Sequence, residues 1–391
     1  VSARVVILGG SGLMGRIIAA DLARTARGVE VVIADRAPPA RLEGTAGFVR
    51  VDATQPRSLA RALRGAQVAI GAVPYRLNLA AMRGALAARA HWLDLGGLFH
   101  GTRGQLRLGP AFREARRTAI LGIGSSPGIT NLLAVLAARS MDQVLEVHVK
   151  VGNVDLGPPR GPIELGYSAD TLLDELVKPA AVLRGGRLRF APPLDATERA
   201  FERFPDPIGA RPLDVTLHSE LATLPAFFVR RGVREVTFKQ SFDAAFLERA
   251  RFLVDLGLAD EVPVDSIQVA PRRLLLALLA RRAPPPVRHP ARHEVLRVVV
   301  IGRSRGRAVR AIADCQAGPS SGWGVGPDSD TGAPPSIVAQ MLIKGEIEAA
   351  GVFAPEDVVP VDPFVRELGR RALTISVMRR GSREAARSDA R

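Results

Sequence analysis

Short apolar, β-branched runs recur along the first third of the chain, and most are followed by a turn and a stretch of helical periodicity. The first, Val5-Val6-Ile7-Leu8, halts at Gly9-Gly10-Ser11-Gly12-Leu13-Met14-Gly15, and Arg16 to Ala23 then reads as a helix. Further strands are predicted at Val29 to Ala34, Phe48 to Asp52, Val68 to Val73, Trp92 to Leu95 and Thr118 to Gly122, with helices at Ser58 to Leu63 and Leu77 to Ala88. Strands alternating with helices at this rhythm give right-handed crossovers and a parallel sheet. The expected fold class is therefore α/β, with an N-terminal Rossmann-type doubly wound parallel sheet.

From Val144 the pattern changes to period-two alternation, at Leu145 to Val151, Val215 to His218 and Arg234 to Lys239. That period describes a sheet with one covered face. The helix Ser168 to Leu176 and the turn-rich Phe204 to Gly209 lie between these strands, so a second, α+β domain is expected. Val295 to Ile301 reads as one more strand, with Gly302 to Gly306 as a hairpin turn. A helix is expected from Ser336 to Leu342 or slightly beyond, and a frayed tail after Arg379. The division is 1–125 for the nucleotide domain, completed by 336–391, and 126–335 for an α+β substrate and dimerisation domain.

The glycine turn carries the most specific chemistry. In Gly10-x-Gly12-x-x-Gly15, Gly10 allows the tight turn, Gly12 lets the backbone approach a pyrophosphate, and Gly15 lets the helix pack on the strand. Ser11, Leu13 and Met14 complete the loop, and the first-turn N–H groups attract phosphate charge. The second strand ends on Asp35, placed to accept hydrogen bonds from ribose hydroxyls, which favours NAD and leaves NADP possible. Arg36 beside it suits either stacking on adenine or pairing with a 2′-phosphate; a solvated loop arginine is the alternative. Asp52 and Ala53 at the third strand end reach toward adenine, or Asp52 caps the next helix. Ligands in such sheets lie at the carboxyl ends of the strands, so Val73, Pro74, Tyr75 and Asp94 share that rim.

Ser126-Pro127-Gly128 begins a helix just beyond the sheet, and its N–H groups suit a substrate carboxylate. Proton acceptors are sought among His218, Glu220 and Lys239; histidine has the most useful ordinary pKa, near 6.5. Tyr167 and Thr171, one helical turn apart, line a cavity or cap a core.

Composition narrows the classes. The single Cys315 excludes an intrachain disulfide or a thiolate zinc site, and only His289 and His293 share a helical spacing, across Pro290 in a basic, proline-rich loop from Arg281 to His293, so no metal is expected. The net charge of +15 would ordinarily suggest nucleic acid. Here the excess is arginine spread along the chain without interleaved aromatics, so neither a nucleic-acid nor a membrane partner is expected. Val1 stands close before the first strand, leaving no room for a signal segment, and a cytoplasmic location is the simplest expectation.

With these pieces placed, the chain resembles the saccharopine dehydrogenase-like oxidoreductases, most of all their lysine 6-dehydrogenase branch. The motifs are VVILGGSGLMG from Val5, GAVPYRLNLAAM from Gly71, HWLDLGG from His91, SSPGITNLLA from Ser125, YSADTLLDE from Tyr167, HSELATLP from His218 and TGAPPSIVAQML from Thr331. The resemblance implies a C-terminal helix returning to the nucleotide domain and a homo-oligomer. It implies NAD(P)-dependent oxidation of a C–N bond in an amino acid or amine, with lysine 6-dehydrogenase-type deamination favoured. Reduction of the matching imine, as in saccharopine or carboxynorspermidine dehydrogenases, and a non-catalytic nicotinamide sensor are the alternatives. Glu220 departs from the branch pattern, where a small residue is expected.

Overall fold

The structure is a computed structural model describing residues 2–41, 46–158, 167–282 and 291–381. Strands β1 (Ala3–Leu8), β2 (Val29–Asp35), β3 (Gly47–Arg50), β4 (Val68–Gly71), β5 (His91–Asp94), β6 (Thr118–Ile120) and β15 (Gly351–Phe353) form one sheet, ordered β15-β6-β5-β4-β1-β2-β3. Every pairing is parallel. Helices cover both faces, and Val5, Val6, Ile7 and Leu8 are fully buried because their alternate side chains enter two cores, one on each side. The order reverses between β1 and β4, and a crevice at such a reversal is where a doubly wound sheet holds its ligand.

The second sheet is built from β7 (Gln143–Asp155), β8 (Ala180–Arg184), β9 (Arg187–Ala191), β10 (Ala200–Arg203), β11 (Ala210–Val215), β12 (Glu235–Gln240), β13 (Arg292–Ser304), β14 (Arg307–Ala317) and β16 (Thr374–Gly381). Its main path runs β10-β11-β12-β7-β13-β14-β16. All its pairings are antiparallel except β12 with β7. The helix Ile129–Ala138 crosses from the first sheet and buries Leu132, Leu133, Ala134 and Ala137 in the core it shares with Val298, Val300, Ala311 and Ala313.

The structure corrects several expectations. The returning helix spans Ser329–Ile343, starting earlier than Ser336 and running through Pro334 and Pro335. Tertiary packing on the Leu13–Thr25 helix overrides the proline signal: Gly332 sits so close to Ile17 that a Cβ would lie 2.4 Å from its Cγ2. The segment after it divides between the sheets, since β15 extends the first and β16 pairs with β14 in the second. Strand β11 ends at Val215, so His218 begins a short 3₁₀ turn, Ser219–Ala222, instead of closing a strand. The turn between β13 and β14 is a hairpin as expected, tightened to Arg305-Gly306. Of the Arg281 to His293 loop, Arg281 lies in the helix Pro271–Arg282 and His293 in β13, while 283–290, with His289, and the tail from 382 lie outside the described residues. Among the described residues no helix is long and apolar enough to cross a membrane.

Candidate active site

At the reversal point, Gly9 adopts φ +76 and packs so tightly on the neighbouring loop that a Cβ would lie 2.3 Å from Ala72 O. Cβ atoms at Gly10 and Gly15 would meet Ile33 and Gly9 O at 2.8 and 2.4 Å, so both glycines are required by packing alone. Gly12 differs. A Cβ there would approach only Gly9 O, at 3.3 Å, and otherwise project into open space. The Leu13–Thr25 helix that follows has no side-chain cap and no acidic residue in its first turn. Uncapped amides behind an open glycine face are what a dinucleotide pyrophosphate needs, and the residues fit that group.

Asp35 Oδ2 accepts from Ser11 N at 3.0 Å and Oδ1 from Arg36 N at 2.7 Å, so this carboxylate also fixes the loop. Arg36 is exposed. Asp52 holds a local turn through Thr54 Oγ1 at 2.7 Å and Thr54 N at 2.9 Å, which together pull its carboxyl below the usual range, while the next helix begins from Gln55. Ala53 is buried beside it, and Val73, Pro74 and Tyr75 leave β4 on the same rim. The Tyr75 hydroxyl bonds Asp174 of the second domain, and its titration is raised by burial and by that carboxylate.

The polar centre lies where the two domains meet. The Ser126 hydroxyl donates to Glu220 Oε1 at 2.5 Å, and Thr130 Oγ1 donates to the same atom at 2.8 Å. Glu220 Oε2 engages His218 Nδ1. The imidazole lies flat on Phe238, with ring centroids 3.8 Å apart. Burial alone would lower the histidine's pKa; the Glu220 charge and hydrogen bond, with Glu175 beyond, outweigh it and hold His218 above its ordinary value. Burial would raise Glu220, and His218, Ser126 and Thr130 outweigh it and hold it ionised. A carboxylate on Nδ1 fixes the tautomer with Nε2 as the acceptor. Nε2 has no hydrogen-bond partner among the described residues.

The helix Ala169–Val177 supplies a second buried acid, Glu175. Its Oε2 accepts from Tyr167 Oη at 2.5 Å and from Gln240 Nε2 at 2.7 Å. Burial raises its pKa, against the pull of His218. Tyr167 is 41% exposed, while its hydroxyl points inward onto Glu175. Thr171, half-buried one turn before Glu175, gives its backbone N–H to Ser168 Oγ at 3.4 Å.

Three sequence candidates stand elsewhere in function. Lys239 alternates with Phe238 and Gln240, so it occupies the opposite sheet face, where its ammonium bonds Glu198 O. Asp94 is wholly buried and accepts from Trp92 Nε1, Gly96 N, Gln105 Nε2 and Gly122 N at 2.6 to 3.0 Å, which makes it a pin beneath the rim with no valence left for substrate. The amides after Pro127 are also spent: Gly128 N donates to Asn131 Oδ1 at 3.0 Å, Ile129 N to Gly124 O at 2.9 Å and Thr130 N to Ser125 O at 3.1 Å. The loop acts instead through the Ser126 hydroxyl. Sequence reasoning missed Thr130, Glu175 and Gln240. The one available signal was an acid at helical spacing from Tyr167 in YSADTLLDE, which reads equally as a solvated helix face.

Comparison with known proteins agrees with this architecture. Residues 5–120 match the saccharopine dehydrogenase NADP binding domain and residues 124–373 the saccharopine dehydrogenase C-terminal domain. The chain belongs to the saccharopine dehydrogenase family, a family of nicotinamide-dependent dehydrogenases. A carboxyaminopropylagmatine dehydrogenase of Synechocystis sp. is 22% identical over 273 residues, 67% of this chain and 65% of that protein, so the match spans less than two thirds of the relative. The apo saccharopine dehydrogenase (L-Glu forming) of Saccharomyces cerevisiae superposes with a TM-score of 0.70 at 16% identity, covering 97% of this chain and 100% of its own.

Proposed function

We propose that the chain is an NAD(P)-dependent oxidoreductase acting on the C–N bond of an amino acid or amine. The observation that carries this reading is His218, whose Nδ1 is held by a buried Glu220 while Nε2 has no partner among the described residues at the domain junction. Gly10, Gly12, Gly15, Asp35 and the uncapped first turn after Gly12 would hold the cofactor. When bound, the nicotinamide supplies the hydride acceptor or donor.

His218 Nε2 takes the proton that an amine nitrogen loses as a C=N bond forms, and returns it in the reverse direction. Glu220 stabilises the resulting imidazolium, and Ser126 and Thr130 hold Glu220 in place. Glu175 adds a second negative centre that favours a cationic nitrogen. Oxidative deamination of the lysine 6-dehydrogenase type and reduction of an imine to a secondary amine both fit this arrangement. The name of the Synechocystis relative lends support to the second. Asp35 supports NAD, whereas the family model is named for NADP. The test is the change in nicotinamide absorbance against a panel of amines, amino acids and imine-forming pairs of carbonyl and amine. Turnover confined to alcohols would reject the reading.

A further inference from the structure

A second group of buried acids lies outside the His218 centre, where the Ser329–Ile343 helix meets β13. This helix runs alongside the Leu13–Thr25 helix with Gly332 on Ile17, Ser336 on Asp21 and Gln340 on Thr25, so the two are parallel and start at the same rim. Thr331 Oγ1 donates to Ser125 Oγ at 2.9 Å, beside the loop that carries Ser126.

Asp330, at this helix start, is 2% exposed. Its Oδ1 lies 3.2 Å from Thr331 Oγ1, and its Oδ2 finds no donor among the described residues. The group facing it is the Glu294 carboxylate. One guanidinium, Arg292, serves Glu294 at 3.0 Å and Asp328 at 2.8 Å and also acts on Asp330, so among the described residues three neighbouring carboxylates share one cation. Two buried carboxylates in contact need either a shared proton or a cation between them.

The position of the pair says which ligand would supply the cation. Glu294 pairs with Asn153, and Gln240 with Val151, so both point to the same sheet face. Strand β7 separates their strands and Asn153 lies two residues beyond Val151, so at ~4.8 Å per strand and ~3.4 Å per residue the Glu294 backbone lies about 12 Å from that of Gln240, which bonds Glu175. Tyr167 stands between, with its hydroxyl on Glu175 and within the field of Glu294.

We propose that Asp330 and Glu294 form the subsite for the distal ammonium or guanidinium of an extended amine substrate whose reacting nitrogen lies at His218. This assignment rests on the C–N reading given above and narrows it to substrates with a cationic far end. It is tested with the full chain saturated with reduced cofactor, titrated with a homologous series of α,ω-diamines and with the n-alkylamines of matching length. Diamines long enough to span that distance should bind at least ~10-fold more tightly than the matching alkylamines. Asp330→Asn and Glu294→Gln should each remove that advantage while leaving alkylamine and cofactor affinity unchanged. Equal binding of diamines and alkylamines at every length means the acids only share a proton, and it overturns the subsite while the His218 reading stands. So does an advantage that survives both substitutions. Failure of both amine classes to bind overturns the subsite together with the reading on which it rests.

Discussion

The Ser126 hydroxyl donates to Glu220 Oε1 across 2.5 Å, tying the loop that leaves the nucleotide sheet to a turn of the second sheet. Through Glu220 this bond reaches His218, so the histidine's basicity depends on contacts from both domains.

The first prediction follows from that dependence. Glu220 and Glu175 raise the His218 pKa above its ordinary 6.5, so its neutral, proton-accepting form appears only as pH rises through that higher value. Amine oxidation should therefore increase with pH on an ionisation lying above 6.5. Glu220→Gln removes the main stabilising charge, so the ionisation should move to lower pH while maximal kcat falls, since the imidazolium loses its partner. A profile of kcat against pH for both proteins measures it. An unmoved ionisation would mean that another group accepts the proton.

Gly12 is predicted to be required for cofactor and dispensable for folding. Its φ of −69 and ψ of 172 suit any residue, and a Cβ would meet one carbonyl oxygen at 3.3 Å. Gly12→Val should keep the melting temperature within a few degrees, about 1 kcal/mol, while lowering NAD(P) affinity by ~100-fold or more. Calorimetric titration with calorimetric melting separates the two effects, and unchanged affinity in a folded variant would reduce the motif to a packing turn.

Asp35 should set the choice between cofactors. NAD is expected to bind more tightly than NADP, and Asp35→Ala should narrow the gap by removing both the ribose acceptor and the repulsion of a 2′-phosphate. Because the carboxylate also accepts from Ser11 N, the variant should weaken NAD as well. Tighter NADP binding by the unaltered chain would refute the assignment.

A stability prediction comes from Glu356, which is buried, bonded by Asn131 Nδ2 at 2.8 Å through Oε2, and without a partner for Oε1 among the described residues. Burial pushes its carboxyl up from 4.5 to about 7, the reverse of the usual carboxylate case. The unfolded chain ionises first, so stability should fall as pH rises from 4.5 to about 7 and stay level beyond. Glu356→Gln should match the unaltered chain at the acid end of that window and exceed it by ~1–3 kcal/mol above it. Thermal melting across this range tests the sign directly.

What was legible in the sequence was local. The glycine loop, Asp35 and the strand rhythm each follow from a few neighbouring residues, and the structure keeps them. His218, Glu220 and Ser126 are all visible as candidates, yet the sequence assigns the helix amides beside Ser126 to a substrate carboxylate and does not join Ser126 to Glu220. Those amides are consumed by Gly124, Ser125 and Asn131, a matter of loop closure that spacing does not encode. Lys239 was misplaced because period two shows that faces alternate without saying which face is the site. Glu175 was missed because a buried acid on an amphipathic helix looks like a solvated one until Tyr167 and Gln240 are seen to enclose it.

The central claim, that His218 exchanges the proton in a nicotinamide-linked C–N reaction, is tested most directly by assaying the unaltered chain and His218→Asn against the same amine and imine panel. The account predicts nicotinamide turnover with a C–N substrate, a loss of ~100-fold or more in kcat for His218→Asn, and cofactor affinity that does not change. Full activity in His218→Asn, or silence of the unaltered chain across every C–N substrate, would contradict it.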